Sequence, residues 1–184
     1  MIHANPVRVV VITAMLLFTL LSGCASSPEK EMPITTVEYV DLERFAGRWY
    51  VIANIPTFVE KNAYNAIEHY AVRDADTIDT TFSFNKGGFD GKRKSYTPVA
   101  SVRPNTGNAV WGMQFIWPFK LEYRVLWLND DYSVTVVGRS KRDYVWVMAR
   151  SPQIDSSLRE EIWAFLAREG YDLQQIQNVP QQWD

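Results

Sequence analysis

The chain has 184 residues, of which 47% are hydrophobic and 14% aromatic, a composition that favours one domain with a sizeable apolar core. Its formal net charge of -2 lacks the basic excess that is typical of nucleic-acid binding, so we expect no nucleic-acid partner. Cys24 is the only cysteine, which excludes an internal disulfide and a cysteine-based zinc site.

The N-terminal residues 1–23 have the pattern of a lipoprotein signal peptide. Val9–Leu21 is almost wholly apolar but shorter than the roughly 20 residues that span a membrane. It leads into Leu21-Ser22-Gly23-Cys24, which resembles the bacterial lipobox, where the cysteine thiol receives the lipid. We therefore predict lipid attachment at Cys24, a tether over residues 24–37 and a lipid-anchored protein of the outer membrane. The alternative is an ordinary signal peptide followed by a chance cysteine.

Eight segments with strand patterning follow, and turn residues separate them. Thr77–Phe84 alternates apolar and polar residues, whereas Pro98 argues against a central ladder position for the fourth segment. The pattern predicts an all-β fold, an eight-stranded antiparallel up-and-down β-barrel (calyx) with room for one small ligand, and a β-sandwich is the alternative. The segments are Trp49–Ile55, Ala63–Arg73, Thr77–Phe84, Lys92–Arg103, Ala109–Trp117, Phe119–Leu128, Tyr132–Arg139 and Tyr144–Ser151.

One amphipathic helix follows the last of these segments, over Ser156–Glu169. Its apolar stripe consists of Leu158, Ile162, Phe165 and Leu166. Asp155, or Ser157 with Glu160, can cap its start, and Gly170 can end it. We predict that this C-terminal α-helix packs outside the barrel, although a membrane-facing role is an alternative. Tyr171–Val179 is predicted to be a last strand.

Three short motifs, in this order along the chain, resemble the signatures of the lipocalin family. They are Gly47-x-Trp49 at the start of the first strand, Asp130-Asp131-Tyr132 in a turn, and Arg150 at the end of the eighth strand. With the lipobox and the helix, they resemble most closely the bacterial outer-membrane lipoprotein lipocalins. The resemblance implies a lipocalin domain over residues 38–184. It also implies that Gly47, Trp49 and Arg150 form a structural plug, in which Arg150 packs over Trp49.

Alternation from these anchors predicts which side chains line the cavity. The predicted ligand-binding residues are Trp146, Tyr144, Met148, Tyr123, Val125, Val134, Val136, Ala53 and Phe82. The resemblance implies a fatty acid such as palmitate, or a lysophospholipid, as the ligand, and a role in lipid storage, transport or repair in the bacterial envelope. A head group at the mouth is expected to meet a cation, for which the candidates are Lys92, Arg93, Lys94 and Lys120.

Other functions are less well supported by the residues. We expect no enzyme, no metal and no cofactor, because the chain lacks a nucleophile constellation and His69 is its only histidine outside the signal peptide. Glu68 has the opposite strand parity to His69, so one of the two faces the cavity, and the sequence leaves open which one. The alternatives are an envelope structural module with a filled barrel, and a binder of another small hydrophobic molecule or of haem. Phe58, Val59 and the outward set Leu126, Leu128, Val145 and Val147 are compatible with a homodimer.

Overall fold

The computed structural model of the protein describes residues 33–183. The predicted signal peptide 1–23, Cys24 and most of the predicted tether lie outside the described residues. One short helix precedes the sheet, α1 (Leu42–Phe45), and one long helix follows it, α2 (Ser156–Arg168), before a 3-10 helix at Leu173–Gln175. The strands are β1 (Gly47–Ile55), β2 (Ala63–Asp74), β3 (Thr77–Lys86), β4 (Arg93–Tyr96), β5 (Val99–Val102), β6 (Val110–Ile116), β7 (Phe119–Leu128), β8 (Val134–Gly138), β9 (Val145–Ala149) and β10 (Gln177–Asn178).

The strands form one antiparallel sheet that closes on itself. Its order is β10-β1-β2-β3-β5-β6-β7-β8-β9, and additional pairing of β1 with β9 completes the barrel. Because β4 and β5 both pair with β3, they share one position in the wall, and the predicted eight-stranded up-and-down barrel is confirmed. Pro98 separates β4 from β5, and its carbonyl accepts hydrogen bonds from the backbone N–H and the hydroxyl of Thr80.

The predicted outer helix is confirmed as α2. Its stripe residues Ile162 and Leu166 are fully buried, in a cluster with outward-facing residues of β1, β7, β8 and β9. Asp155 occupies the N-cap position without a side-chain capping bond, and Gly170 follows the helix with a φ of 84°. The predicted last strand is largely wrong, because Asp172 caps a 3-10 turn and only the two residues of β10 pair, with β1. Within residues 33–183, no helix has the length and apolar character needed to cross a membrane.

Three of the predicted cavity residues face outward, into the layer beneath α2. Ala53 does so because the pairing of β1 with β9 shifts by one residue between Val51 and Ala53, which reverses the alternation beyond that point. Val134 and Val136 also face outward. Their predicted direction was counted by alternation from Tyr132, but Tyr132 has a φ of 60° and is not part of the strand, so the count does not hold. The predicted inward positions of Ala53, Val134 and Val136 are therefore wrong.

Candidate ligand-binding cavity

The closed end of the barrel is built around the buried ring of Trp49. The Cζ of Arg150 lies 3.8 Å from the centre of this ring, a cation–π contact. The indole Nε1 of Trp49 donates to the carbonyl of Phe45 at 2.8 Å. Gly47, the first residue of β1, has a φ of 95°, a backbone conformation that residues other than glycine rarely adopt. A Cβ at this position would lie 3.4 Å from Nη1 of Arg150.

Arg150 also ties the segment around α1 to the barrel. Its guanidinium donates to four carbonyls of the chain that leads into β1, at distances of 2.7 to 3.0 Å, and those carbonyls belong to Arg44, Phe45, Ala46 and Arg48. Tyr132 supports the same segment, because its hydroxyl accepts from the N–H of Asp41 at 2.9 Å. This end of the barrel is therefore sealed by packing and by charge-assisted hydrogen bonds.

A layer of aromatic rings fills the barrel above the plug. Trp111 stacks on Tyr123 with ring centres 5.1 Å apart, and Tyr70 lies against Trp111 and Phe45. The hydroxyls of Tyr70 and Tyr123 are hydrogen-bonded to each other, and burial raises the pKa of both phenols well above their usual value. This lower part of the barrel is solid core, so space for a ligand lies only above it.

A narrow inner cavity of about 40 Å³ begins above the aromatic layer. Its apolar wall includes Phe82 of β3, Met113 of β6 and the ring of Tyr123 of β7. Trp146 of β9 completes the wall, and its ring centre lies 6.0 Å from that of Tyr123.

Two carboxyl groups also line the inner cavity. Glu60 lies in the β1–β2 connection, where Oε1 accepts from Nε1 of Trp146 at 2.7 Å and Oε2 accepts from the N–H of Thr57 at 2.7 Å. Glu68 of β2 reaches the same cavity, and its buried Oε2 has no hydrogen-bond partner among the described residues. Burial raises the pKa of Glu60, and burial together with the nearby Glu60 charge raises the pKa of Glu68 well above its usual value.

A wider groove of about 510 Å³ lies at the open end of the barrel. It shares Thr57, Val59, Phe115 and Leu121 with the inner cavity, so the two spaces adjoin. Its rim carries strongly exposed apolar side chains, of which Phe58 is 82% exposed and Phe119 74%. A large exposed apolar surface of this kind is typical of a binding site. The groove and the inner cavity together form an apolar path that ends in two carboxyls.

The remaining predicted cavity residues lie inside the barrel or at its open end. Trp146, Tyr123 and Phe82 line the inner cavity, whereas Met148 and Val125 are fully buried in the filled interior. The ring of Tyr144 lies 6.2 Å from that of Trp146. The cations predicted for the mouth, Lys92, Arg93, Lys94 and Lys120, are exposed, and none is among the described residues that line either space.

The structure also shows which of the two neighbouring β2 residues, Glu68 or His69, faces the cavity. Glu68 faces the cavity, whereas His69 is exposed on the outer face. Because the side chain of His69 lies outside the barrel, it cannot bind the iron of a haem in the cavity. In the predicted dimer surface, Leu126, Val145 and Val147 are covered by the outer cluster with α2, and Leu128 packs against the inner core.

Nine of the twelve residues that line the inner cavity were not among the predicted cavity residues, and three of these nine carried a clear signal in the sequence. Glu68 is two residues before the inward-facing Tyr70, Phe115 is two after Met113, and Leu121 is two before Tyr123, so strand alternation places each on the inner face. Glu60 carried no such signal, because it lies in a connection whose path depends on tertiary contacts.

Comparisons with known proteins agree with this architecture. The profile of the family described as "Lipocalin-like domain" matches residues 40–181. The outer membrane lipoprotein Blc of Escherichia coli strain K12 is 29% identical over 152 residues, which cover 80% of this chain and 83% of that protein. The Citrobacter freundii protein of the same name is 27% identical over 172 residues, 92% of this chain and 95% of that one.

A solved structure has the same fold at low sequence identity. Insecticyanin from the tobacco hornworm Manduca sexta superposes with a TM-score of 0.65 at 18% identity, over 83% of this chain and 86% of that chain. At this identity the likeness concerns the fold alone.

Proposed function

Because the chain belongs to the lipocalin family, in the subgroup of the bacterial lipoprotein lipocalins, we propose that it binds a fatty acid or a lysophospholipid in its barrel cavity. The proposed role is lipid storage, transport or repair in the bacterial envelope. It is a binding role rather than a catalytic one. Among the described residues, no group of three or more histidine, cysteine, aspartate or glutamate side chains is placed to hold a metal ion.

One observation carries this proposal, namely the one-sided apolar path through the barrel. Trp49 and Arg150 seal one end, and the aromatic layer fills the adjoining interior. The groove of about 510 Å³ at the other end falls within the usual range for small-molecule sites. Such a path suits one acyl chain, because its methylene groups leave water as they enter the groove.

The proposal includes an N-terminal lipid anchor at Cys24, after removal of residues 1–23. Residues 24–37 would then tether the lipocalin domain, residues 38–184, to the outer membrane. Both relatives are named outer membrane lipoprotein Blc, which supports this location for the present chain. An anchored barrel would stay close to the membrane that supplies its ligand.

Lipid retention by the purified full-length protein tests the proposal. Mass spectrometry of non-covalently bound lipid should detect a fatty acid or lysophospholipid. Phe119→Ser, which alters the groove wall, should reduce its amount severalfold because apolar contact with the chain is lost. Trp117→Ser is the matched control, since Trp117 is 82% exposed in the connection just before β7 but is not among the described groove residues. Absence of bound lipid from the wild type, or equal loss in both variants, would contradict the proposal.

A further inference from the structure

The inner cavity combines two acidic groups with no compensating cation of their own. No ion pair to Glu60 or Glu68 is formed by any residue of the range 33–183. Glu60 is held in place by the indole N–H of Trp146 and the N–H of Thr57, which leaves each of its oxygens a second lone pair. Glu68 Oε2 is buried and unpartnered. An unpartnered buried carboxyl is costly, so its presence beside a cavity indicates a role in binding.

The other two charged residues that line the cavity, Glu122 and Arg139, each have an ion-pair partner outside its lining. Glu122 forms an ion pair with Arg124, whose Nε lies 2.9 Å from its Oε1, and its Oε2 accepts a hydrogen bond from the N–H of Ser140 at 2.8 Å. Arg139 also lines the cavity; its Nη1 forms an ion pair with Asp143 at 2.9 Å, and its buried Nε has no hydrogen-bond partner among the described residues. The phenol hydroxyls of Tyr70 and Tyr123, which lie beneath the cavity, are bonded to each other. Glu60 and Glu68 are therefore the charged residues of the cavity lining without an ion-pair partner, and a bound cation would favour their ionised forms.

We propose that Glu60 and Glu68 bind the primary ammonium group of a single-chain amphiphile, whose apolar chain lies in the groove above. This inference rests on the proposed lipid-binding function and specifies the polar end of the ligand. An ammonium group has three N–H donors, which match the free acceptor sites of the two carboxyls. The faces of Trp146 and Tyr123 favour a cation in the same place.

The size of the inner cavity narrows the head group further. A space of about 40 Å³ accepts a small head group of about three waters in size, because one water needs about 10–15 Å³. A primary ammonium fits this limit, whereas a trimethylammonium is far larger. A free carboxylate would be repelled by Glu60 and Glu68, so a fatty acid is expected to bind with its carboxylate towards the mouth. The ammonium can belong to an ethanolamine lysophospholipid or to a simple long-chain amine.

Competition among amphiphiles of equal chain length tests this selectivity. Full-length protein in nanodiscs is equilibrated with decylamine, decanoate, 1-decanol and decyltrimethylammonium, and native mass spectrometry measures the occupancy of each. The wild type should favour decylamine over decanoate by about tenfold or more, since the charge-assisted bonds form with one and repulsion with the other. A second mixture of ethanolamine and glycerol lysophospholipids shows whether the ammonium of a phospholipid head group is accepted as well.

Two variants and one control identify the groups responsible. Glu68→Gln and Glu60→Gln should each lower the ratio of decylamine to 1-decanol about tenfold and leave 1-decanol occupancy unchanged, which also shows that the cavity is intact. Glu161→Gln, an exposed change on α2, should leave the ratio at the wild-type value. Acidification should lower decylamine occupancy in the wild type by protonating the carboxyls, and have no such effect in the double variant Glu60→Gln/Glu68→Gln.

The outcomes separate this inference from the function on which it rests. The ammonium site is wrong if decanoate and 1-decanol bind but decylamine is not preferred. It is also wrong if the ratio of decylamine to 1-decanol in Glu68→Gln equals that of the wild type. In both cases the lipid-binding proposal stands. If none of the amphiphiles binds, including 1-decanol, the lipid-binding proposal fails and the ammonium site fails with it.

Discussion

Replacement of Trp49 by alanine should lower the stability of the barrel far more than it alters the choice of ligand. The ring is 0% exposed, its Nε1 is bonded to Phe45, and its face carries the guanidinium of Arg150. Deletion of a buried tryptophan side chain costs about 3–5 kcal/mol. For a chain of this size each kcal/mol shifts the melting temperature by about 2–4 °C, so we expect a decrease of roughly 6–20 °C.

Thermal and urea unfolding followed by circular dichroism measure this loss. Trp183→Ala is the matched control, because Trp183 is 38% exposed and its replacement should cost much less than that of the buried ring. Ligand preference should stay at the wild-type pattern, since Tyr70 and Trp111 fill the interior between the plug and the inner cavity. A Trp49→Ala protein as stable as the control, or one that changes mainly in head-group preference, would refute the plug interpretation.

Three further predictions follow from buried groups and from the anchor. Because burial raises the pKa of Glu68 above 4.5 in the folded state, the contribution of Glu68 to stability is fully present below about pH 4.5 and is lost as pH rises through the folded-state pKa. Glu68→Gln should therefore be more stable than wild type in urea at neutral pH, and an unchanged pH slope would contradict this. Gly138→Ala should cost about 1–3 kcal/mol in urea unfolding, because the new Cβ overlaps the Tyr171 hydroxyl. Tyr171→Phe should restore part of that stability, and simple additivity would exclude the overlap. Cys24→Ser should abolish incorporation of labelled palmitate and release the protein from the membrane fraction.

Much of the closed end was predictable from the sequence. Glycine before a buried tryptophan and an arginine after the last barrel strand predicted a sealed end, and the Cζ of Arg150 lies 3.8 Å from the ring centre of Trp49. The prediction came from the resemblance of these three residues to the lipocalin signatures. The outer helix was predictable because its apolar stripe at helical spacing requires an apolar partner surface, which the barrel wall supplies.

The side of the barrel wall on which each strand residue lies was less predictable. One irregular residue reverses the inward and outward directions of all later side chains in the strand. The shift between Val51 and Ala53 and the left-handed backbone of Tyr132 are local conformations that no alternation pattern contains. They moved Ala53 and Val134 from the predicted cavity to the outer layer.

By itself, the sequence determined the class of fold, the closed end and the position of the outer helix, because these depend on periodicity and on residues with a single suitable partner. Only the tertiary structure decided how much of the barrel is open and what its polar end is. Glu60 comes from a connection and Glu68 from a strand, and barrel closure brings both carboxyls to one cavity. The proposed charge selectivity depends on that juxtaposition, since two carboxyls so placed share a local field that neither segment of chain has alone.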